Sequence, residues 1–122
     1  MSKRILVADD SDTVRRVICS CLTEQNFYVC GDAFDGEDAI EKARKLKPDL
    51  VLLDLAMPRT NGIVVASVLK ELMPNTRIIL FTMYSEAVRR TFSLTGIAVD
   101  AVIAKADGML GLIACVQSLL SS

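Results

Sequence analysis

Five short apolar runs alternate along the chain with five segments of helix length, and this alternation restricts the fold more than any other feature. The runs fall at 4–8, 27–31, 50–53, 77–81 and 101–104. Four of them are almost unbroken apolar stretches rather than alternating ones, as expected of strands covered on both faces in a parallel sheet. The run at 27–31 is more mixed, which suits an edge strand. Between the runs, segment 12–25 puts Val14, Val17, Ile18, Cys21 and Leu22 on one helical face, with Arg15, Arg16 and Thr23 elsewhere. Segment 37–46 carries Glu37, Glu41, Lys42, Arg44 and Lys45, the pattern of a solvated face, and Pro48 marks its end. Segment 61–73 stops at Pro74. Segment 86–95 has Ser85 as its expected N-cap and Gly96 as its stop, and 107–120 closes the chain with Asp107 as its expected cap.

Strands alternating with helices predict an α/β fold, a (βα)5 doubly wound three-layer sandwich forming one domain over 1–122. Right-handed crossovers favour the flavodoxin-like parallel sheet with order 2-1-3-4-5, whose ligand crevice lies at the carboxyl ends of strands 1 and 3. With 122 residues the chain can bury a core without a metal or disulfide staple.

Composition narrows the function classes. Fourteen Lys plus Arg against fifteen Asp plus Glu give a net charge of -1. A direct nucleic-acid or membrane-surface binder needs a cationic excess, so neither is expected. No His is present, which removes Ser-His, Cys-His and His-metal mechanisms. Cys19, Cys21, Cys30 and Cys115 form no CxxC pair and read as reduced thiols used as small apolar residues. The apolar run after Arg4 is too short for a signal peptide, and no run approaches the roughly 18 residues of a membrane span, so a cytoplasmic location is expected.

The residues just after the strands then carry the functional information. Strand 1 ends in Asp9-Asp10, strand 3 in Asp54, strand 4 in Thr82, and strand 5 ends just before Lys105. Three carboxylates, a hydroxyl and an ammonium therefore meet at one rim. Clustered carboxylates repel, and a divalent cation relieves the repulsion; hard oxygen donors without His or thiolate favour Mg²⁺. One of the carboxylates can then act as nucleophile toward a phosphoryl group, with Lys105 neutralising charge on the transferring oxygens and Thr82 donating a hydrogen bond to one of them.

In these motifs the chain resembles the response-regulator receiver domains of two-component signalling, the CheY-like family. The resemblance covers the whole length and rests on Asp9-Asp10, Asp54-Leu55-Ala56-Met57-Pro58 with Gly62 following, Thr82 and Lys105. It implies that Asp54 is the phosphoacceptor, that Asp10, Asp54 and the backbone carbonyl of Ala56 bind Mg²⁺, and that Asp9 acts through a metal-bound water. Thr82 and Lys105 would hold the phosphoryl oxygens. The implied donor is the phosphohistidine of a sensor histidine kinase or phosphotransfer protein. The implied function is a signalling switch rather than an enzyme, with at most slow self-phosphorylation and self-dephosphorylation, and its output surface lies around strand 4, helix 4 and strand 5.

Three positions depart from the family pattern. Val102 stands where receivers usually carry an aromatic residue, and a β-branched side chain cannot swing as a ring does. Ala106 replaces the proline that usually follows the lysine, as in receivers of LuxR/NarL-type regulators, and by that resemblance a DNA-binding output domain outside this chain is expected. Met83 replaces a small residue after Thr82 and is expected to crowd the site and slow attack by small donors or water. Residues 108–122 contain no charge, so the last helix, with the Cys19 side of the first, is expected to form a homodimer or output-domain interface.

Three competing readings remain at this level. A flavin- or nucleotide-binding protein would need a phosphate loop after strand 1, where the chain has Asp9-Asp10-Ser11-Asp12 and no GxGxxG. An aspartyl-phosphate hydrolase would need an acid two residues after the nucleophile, where Ala56 stands. The third is a degenerate receiver that works only as an interaction module.

Overall fold

The computed structural model describes residues 3–55, 57, 62–83, 85–96 and 99–121, and at 85, 91, 92, 94 and 95 the backbone alone. The strands are β1 (Arg4–Ala8), β2 (Tyr28–Ala33), β3 (Leu50–Leu53), β4 (Arg77–Thr82) and β5 (Ala101–Ala104). The helices are α1 (Asp12–Glu24), α2 (Gly36–Leu46), α3 (Gly62–Leu72), α4 (Ser85–Thr95) and α5 (Gly108–Leu120), with a 3-10 turn at Lys105–Asp107. All neighbouring strands pair in parallel, in the order β2-β1-β3-β4-β5. The expected doubly wound sandwich is the observed one.

Side-chain alternation along the strands divides the core into two layers. Leu6, Ala8, Val51, Leu53, Ile78, Leu80 and Val102 face one side and pack on Ala39 and Ala43 of α2 and on Val65, Ala66 and Leu69 of α3. Ile5, Val7, Leu50, Leu52, Ile79 and Phe81 face the other and meet Ile18 and Leu22 of α1 and Leu112, Ile113 and Val116 of α5. Every residue of β3 is buried, which is why its sequence is apolar without alternation.

Local chemistry sets the element ends. Ser11 caps α1 by accepting from the Val14 N–H at 3.2 Å, and Asp35 caps α2 by accepting from the Asp38 N–H at 2.7 Å. The Arg4 guanidinium donates to the Leu46 carbonyl at the end of α2, where Lys47 turns the chain in the left-handed region. At the far end of the sheet, Asp100 ties β4 to β5 and α3. Its carboxylate accepts from the Ile78 N–H at 2.7 Å, Lys70 at 3.0 Å and Arg77 at 3.2 Å.

Four local expectations are revised. The edge strand runs through Asp32 and Ala33, because pairing with Val7 and Ala8 of β1 extends it past the apolar run. Val17 is 47% exposed: it lies about 100° around α1 from Ile18, while Cys19 on the other flank packs into the core. Asp107 precedes α5 but makes no side-chain capping bond, since the 3-10 turn brings the chain in already helical. Helix α4 begins at Ser85 itself rather than after it.

Candidate phosphoryl-transfer and metal site

The register of the three central strands builds the site. Ala8 of β1 pairs with Leu53 of β3, and the Asp54 N–H continues the ladder by donating to the Ala8 carbonyl at 2.9 Å. On the other side the Asp9 N–H donates to the Ala33 carbonyl at 3.0 Å. Asp9 and Asp54 therefore leave the sheet side by side at its carboxyl rim. Thr82, the last residue of β4, pairs with Ala104 of β5, so Lys105 enters the same rim one residue later. All five predicted side chains are thus delivered by strand ends, as expected of a doubly wound sheet.

Asp9, Asp54 and Thr82 are almost fully buried, whereas Asp10 is exposed. One carboxylate oxygen from each of Asp9, Asp10 and Asp54 lies within 4.8 Å of the others. The Lys105 ammonium reaches Asp9 Oδ2 at 3.2 Å and Asp54 Oδ2 at 3.3 Å, with the Phe81 ring centroid 5.9 Å away. Burial works against the charge on Lys105. The Asp54 and Asp9 carboxylates, by charge and hydrogen bonding, outweigh it and raise its pKa above the ordinary lysine value. The second oxygen of Asp9 accepts from the Ser11 N–H at 2.9 Å. That N–H is therefore engaged rather than offered to a phosphate, which weakens the nucleotide-loop reading.

Among the described residues one ammonium stands at the rim with three carboxylates, so these groups together carry an excess of negative charge. Among the described residues the Asp10 carboxylate has no hydrogen bond or ion pair. Oxygen donors with one unpaired carboxylate and no thiol or imidazole fit a small hard cation. The Ala56 carbonyl, the remaining candidate ligand, lies outside the described residues. Gly62 supports the loop that follows Asp54: a Cβ there would stand 2.3 Å from Leu55 Cδ2 and 2.9 Å from Leu55 Cα. Met83 stands at the rim, 75% exposed, and Val102 is buried in the layer facing α2 and α3.

Two arginine contacts were not visible in the sequence, the first at the site and the second between α4 and β5. Arg15 of α1 donates from Nη1 to the Asp9 carbonyl at 2.8 Å and from Nε to Asp32 Oδ2 at 2.7 Å, and pairs with Asp12. Its spacing from Asp12 on a helix was the available signal, but the contacts across the β1–α1 loop have none. Arg89 of α4 donates to the Val102 carbonyl of β5 at 2.6 Å.

A family model described as the response regulator receiver domain matches residues 5–115. The chain is 36% identical over 107 residues to a protein-glutamate methylesterase/protein-glutamine glutaminase of Archaeoglobus fulgidus, covering 88% of this chain and 31% of that protein. It is 38% identical over 80 residues to the chemotaxis protein CheY of Thermotoga maritima, covering 66% of this chain and 67% of CheY. The chain thus spans about a third of the first relative and two thirds of the second. Among solved structures, the response regulator TrrA of Thermotoga maritima, in complex with Mg²⁺ and beryllofluoride, superposes with a TM-score of 0.86 at 33% identity, covering 97% of this chain and 99% of TrrA. Fold, rim chemistry and relatives agree: the chain belongs to the response regulator receiver domain family of two-component signalling.

Proposed function

We propose that the protein is a Mg²⁺-dependent phosphorylation switch in which Asp54 accepts a phosphoryl group from a phosphohistidine of a sensor histidine kinase or phosphotransfer protein. The observation that carries this reading is the Lys105 ammonium held at 3.2 and 3.3 Å from Asp9 and Asp54, with Asp10 close by and unpaired among the described residues. A carboxylate oxygen of Asp54 attacks phosphorus, the donor's N–P bond breaks, and the imidazole nitrogen leaves with the electron pair. Asp10, Asp54 and the Ala56 carbonyl would hold Mg²⁺, with Asp9 acting through a bound water. The ion supplies charge neutralisation and orientation for the phosphate oxygens. Lys105 exchanges its bond to the Asp54 carboxylate for one to a phosphoryl oxygen, and the Thr82 hydroxyl donates to another.

Hydrolysis of the aspartyl phosphate is slow, because Ala56 offers no acid or base for a water. The phosphoryl group biases the surface of β4, α4 and β5 through Thr82. That surface acts on a partner or an output domain outside this chain. With a valine at 102, the Thr82 movement is not coupled to a swinging aromatic ring. Helix α5 leaves Leu110 87% exposed and Ala114 exposed, which supports a homodimer through this helix; the Cys19 side of α1, expected to join it, is instead packed on the core, and the exposed Val17 lies on the opposite flank. No helix among the described residues is long and apolar enough to cross a membrane, in keeping with the proposed cytoplasmic location.

Incubation with Mg²⁺ and a small phosphodonor, read by intact mass, tests the switch. One phosphoryl adduct on the parent and none on Asp54→Asn is expected. An unmodified parent that also ignores beryllofluoride would instead support the degenerate interaction module. Sedimentation with and without beryllofluoride tests the dimer, and a monomer at all concentrations refutes it.

A further inference from the structure

Asp9 and Asp10 are adjacent in sequence but are held in different ways. Every polar group of Asp9 has a partner. Its N–H donates to the Ala33 carbonyl, Oδ1 accepts from the Ser11 N–H, Oδ2 from Lys105, and its carbonyl from Arg15 Nη1 at 2.8 Å. Asp10, by contrast, has no side-chain partner among the described residues, yet its carboxylate must meet those of Asp9 and Asp54 within 4.8 Å. Its direction therefore depends on its backbone. The Asp9 carbonyl belongs to the planar peptide unit that ends at the Asp10 Cα, so a donor that fixes this carbonyl also fixes where the Asp10 side chain departs.

Arg15 is suited to that task. Its side chain is 14% exposed, and its three guanidinium nitrogens are divided among three partners: the Asp9 carbonyl, Asp32 on β2 and Asp12 in the first turn of α1. The two carboxylates set the plane of the guanidinium, and the plane aims Nη1 at the carbonyl. We propose that Arg15 is a positioning residue for the cation site, fixing the Asp9–Asp10 peptide plane so that the Asp10 carboxylate points toward those of Asp9 and Asp54. This rests on the reading that the three aspartates bind Mg²⁺.

The sign of one measurement separates positioning from mere proximity of charge. Arg15 is a cation beside a cation site, so if it acted through charge alone its removal would tighten Mg²⁺ binding. If it positions Asp10, removal weakens binding. Mg²⁺ is titrated calorimetrically into the parent, Arg15→Ala, Arg15→Lys and Asp10→Asn, with thermal melts of each in chelator. Arg15→Ala is expected to bind Mg²⁺ about tenfold more weakly, the scale typical of a lost partner behind a metal ligand. Arg15→Lys keeps the charge but not the fork, and is expected to weaken binding severalfold. A folded Arg15→Ala with unchanged or tighter Mg²⁺ affinity overturns the proposal, and if that variant does not fold, Arg15→Lys decides by the same criterion. A parent that binds Mg²⁺ while Asp10→Asn does not, with both Arg15 variants matching the parent, removes only the role of Arg15. A parent that binds no Mg²⁺ removes the cation-site reading, and this inference with it.

Discussion

Replacing Asp10 by Asn should stabilise the metal-free protein and abolish its stabilisation by Mg²⁺. The Asp10 carboxylate lies within 4.8 Å of two others and makes no compensating bond among the described residues. At an effective dielectric of about 40, chosen between surface and bulk values because Asp10 is exposed, each repulsive pair at this separation amounts to about 1.7 kcal/mol. Lys105, already shared between Asp9 and Asp54, offsets roughly half of the total, leaving about 1–2 kcal/mol in favour of the variant. For a domain of this size that corresponds to a rise in Tm of about 4–8 °C. Mg²⁺ at a hundredfold excess over its Kd would stabilise the parent by about 2.7 kcal/mol and leave the variant unmoved. The order of the two melting curves should therefore invert between chelator and saturating Mg²⁺, as read by far-UV circular dichroism at low ionic strength. An Asp10→Asn protein that melts at or below the parent in chelator would refute the repulsion argument.

Further outcomes follow from the same geometry. Lys105→Met has the opposite sign: it leaves the buried Asp9 and Asp54 without their ammonium and should lower metal-free stability by about 3 kcal/mol in urea melts, a loss that shrinks as pH rises past the raised folded pKa of Lys105. Gly62→Ala forces a methyl into Leu55 backbone and side chain and should cost about 1–3 kcal/mol, with slower phosphorylation because the strained loop carries Asp54. Asp100→Ala frees the Ile78 N–H and the Lys70 ammonium and should cost about 2–3 kcal/mol at neutral pH. Burial opposes the charge on Asp100, but the Ile78 N–H, Lys70 and Arg77 outweigh it and lower its pKa. Its contribution is therefore complete above the unfolded value of about 3.9 and fades as pH falls through the lower folded value, so parent and variant should converge in melts as the pH is taken below that folded value. Met83→Ala should shorten the phosphoryl half-life if the thioether shields the rim, and an unchanged half-life would show that its exposed position leaves the site open.

How much of this was legible in the sequence depended on how far apart the interacting residues lie. β1 and β3 were readable to the residue because burial on both faces imposes an unbroken apolar run; β5 was equally readable from its apolar run although it is a partly buried edge strand. The end of β2 was not, since Asp32 is polar and joins the strand only through pairing with Val7 of β1. Asp9, Asp10, Asp54, Thr82 and Lys105 were found because the fold rule names strand ends as the place to look. That Lys105 bridges Asp9 and Asp54 spans 96 positions for Asp9 and follows from no local pattern. Arg15 and Arg89 were missed for the same reason: a helical arginine reads as solvated until the carbonyls it meets are placed by the sheet. Val17 fell outside the core because α1 packs through the Ile18 and Leu22 stripe, and a helical wheel does not say which flank of a broad apolar face the sheet will cover.

The central claim is that Asp54, and neither Asp9 nor Asp10, takes the phosphoryl group. Borohydride reduction after incubation with Mg²⁺ and a small phosphodonor converts an aspartyl phosphate to homoserine, and peptide mass spectrometry locates it. Homoserine at position 54 alone, dependent on Mg²⁺ and lost with chelator, is the expected result. Homoserine at position 9 or 10, or none anywhere under conditions in which Mg²⁺ binds, would contradict the account.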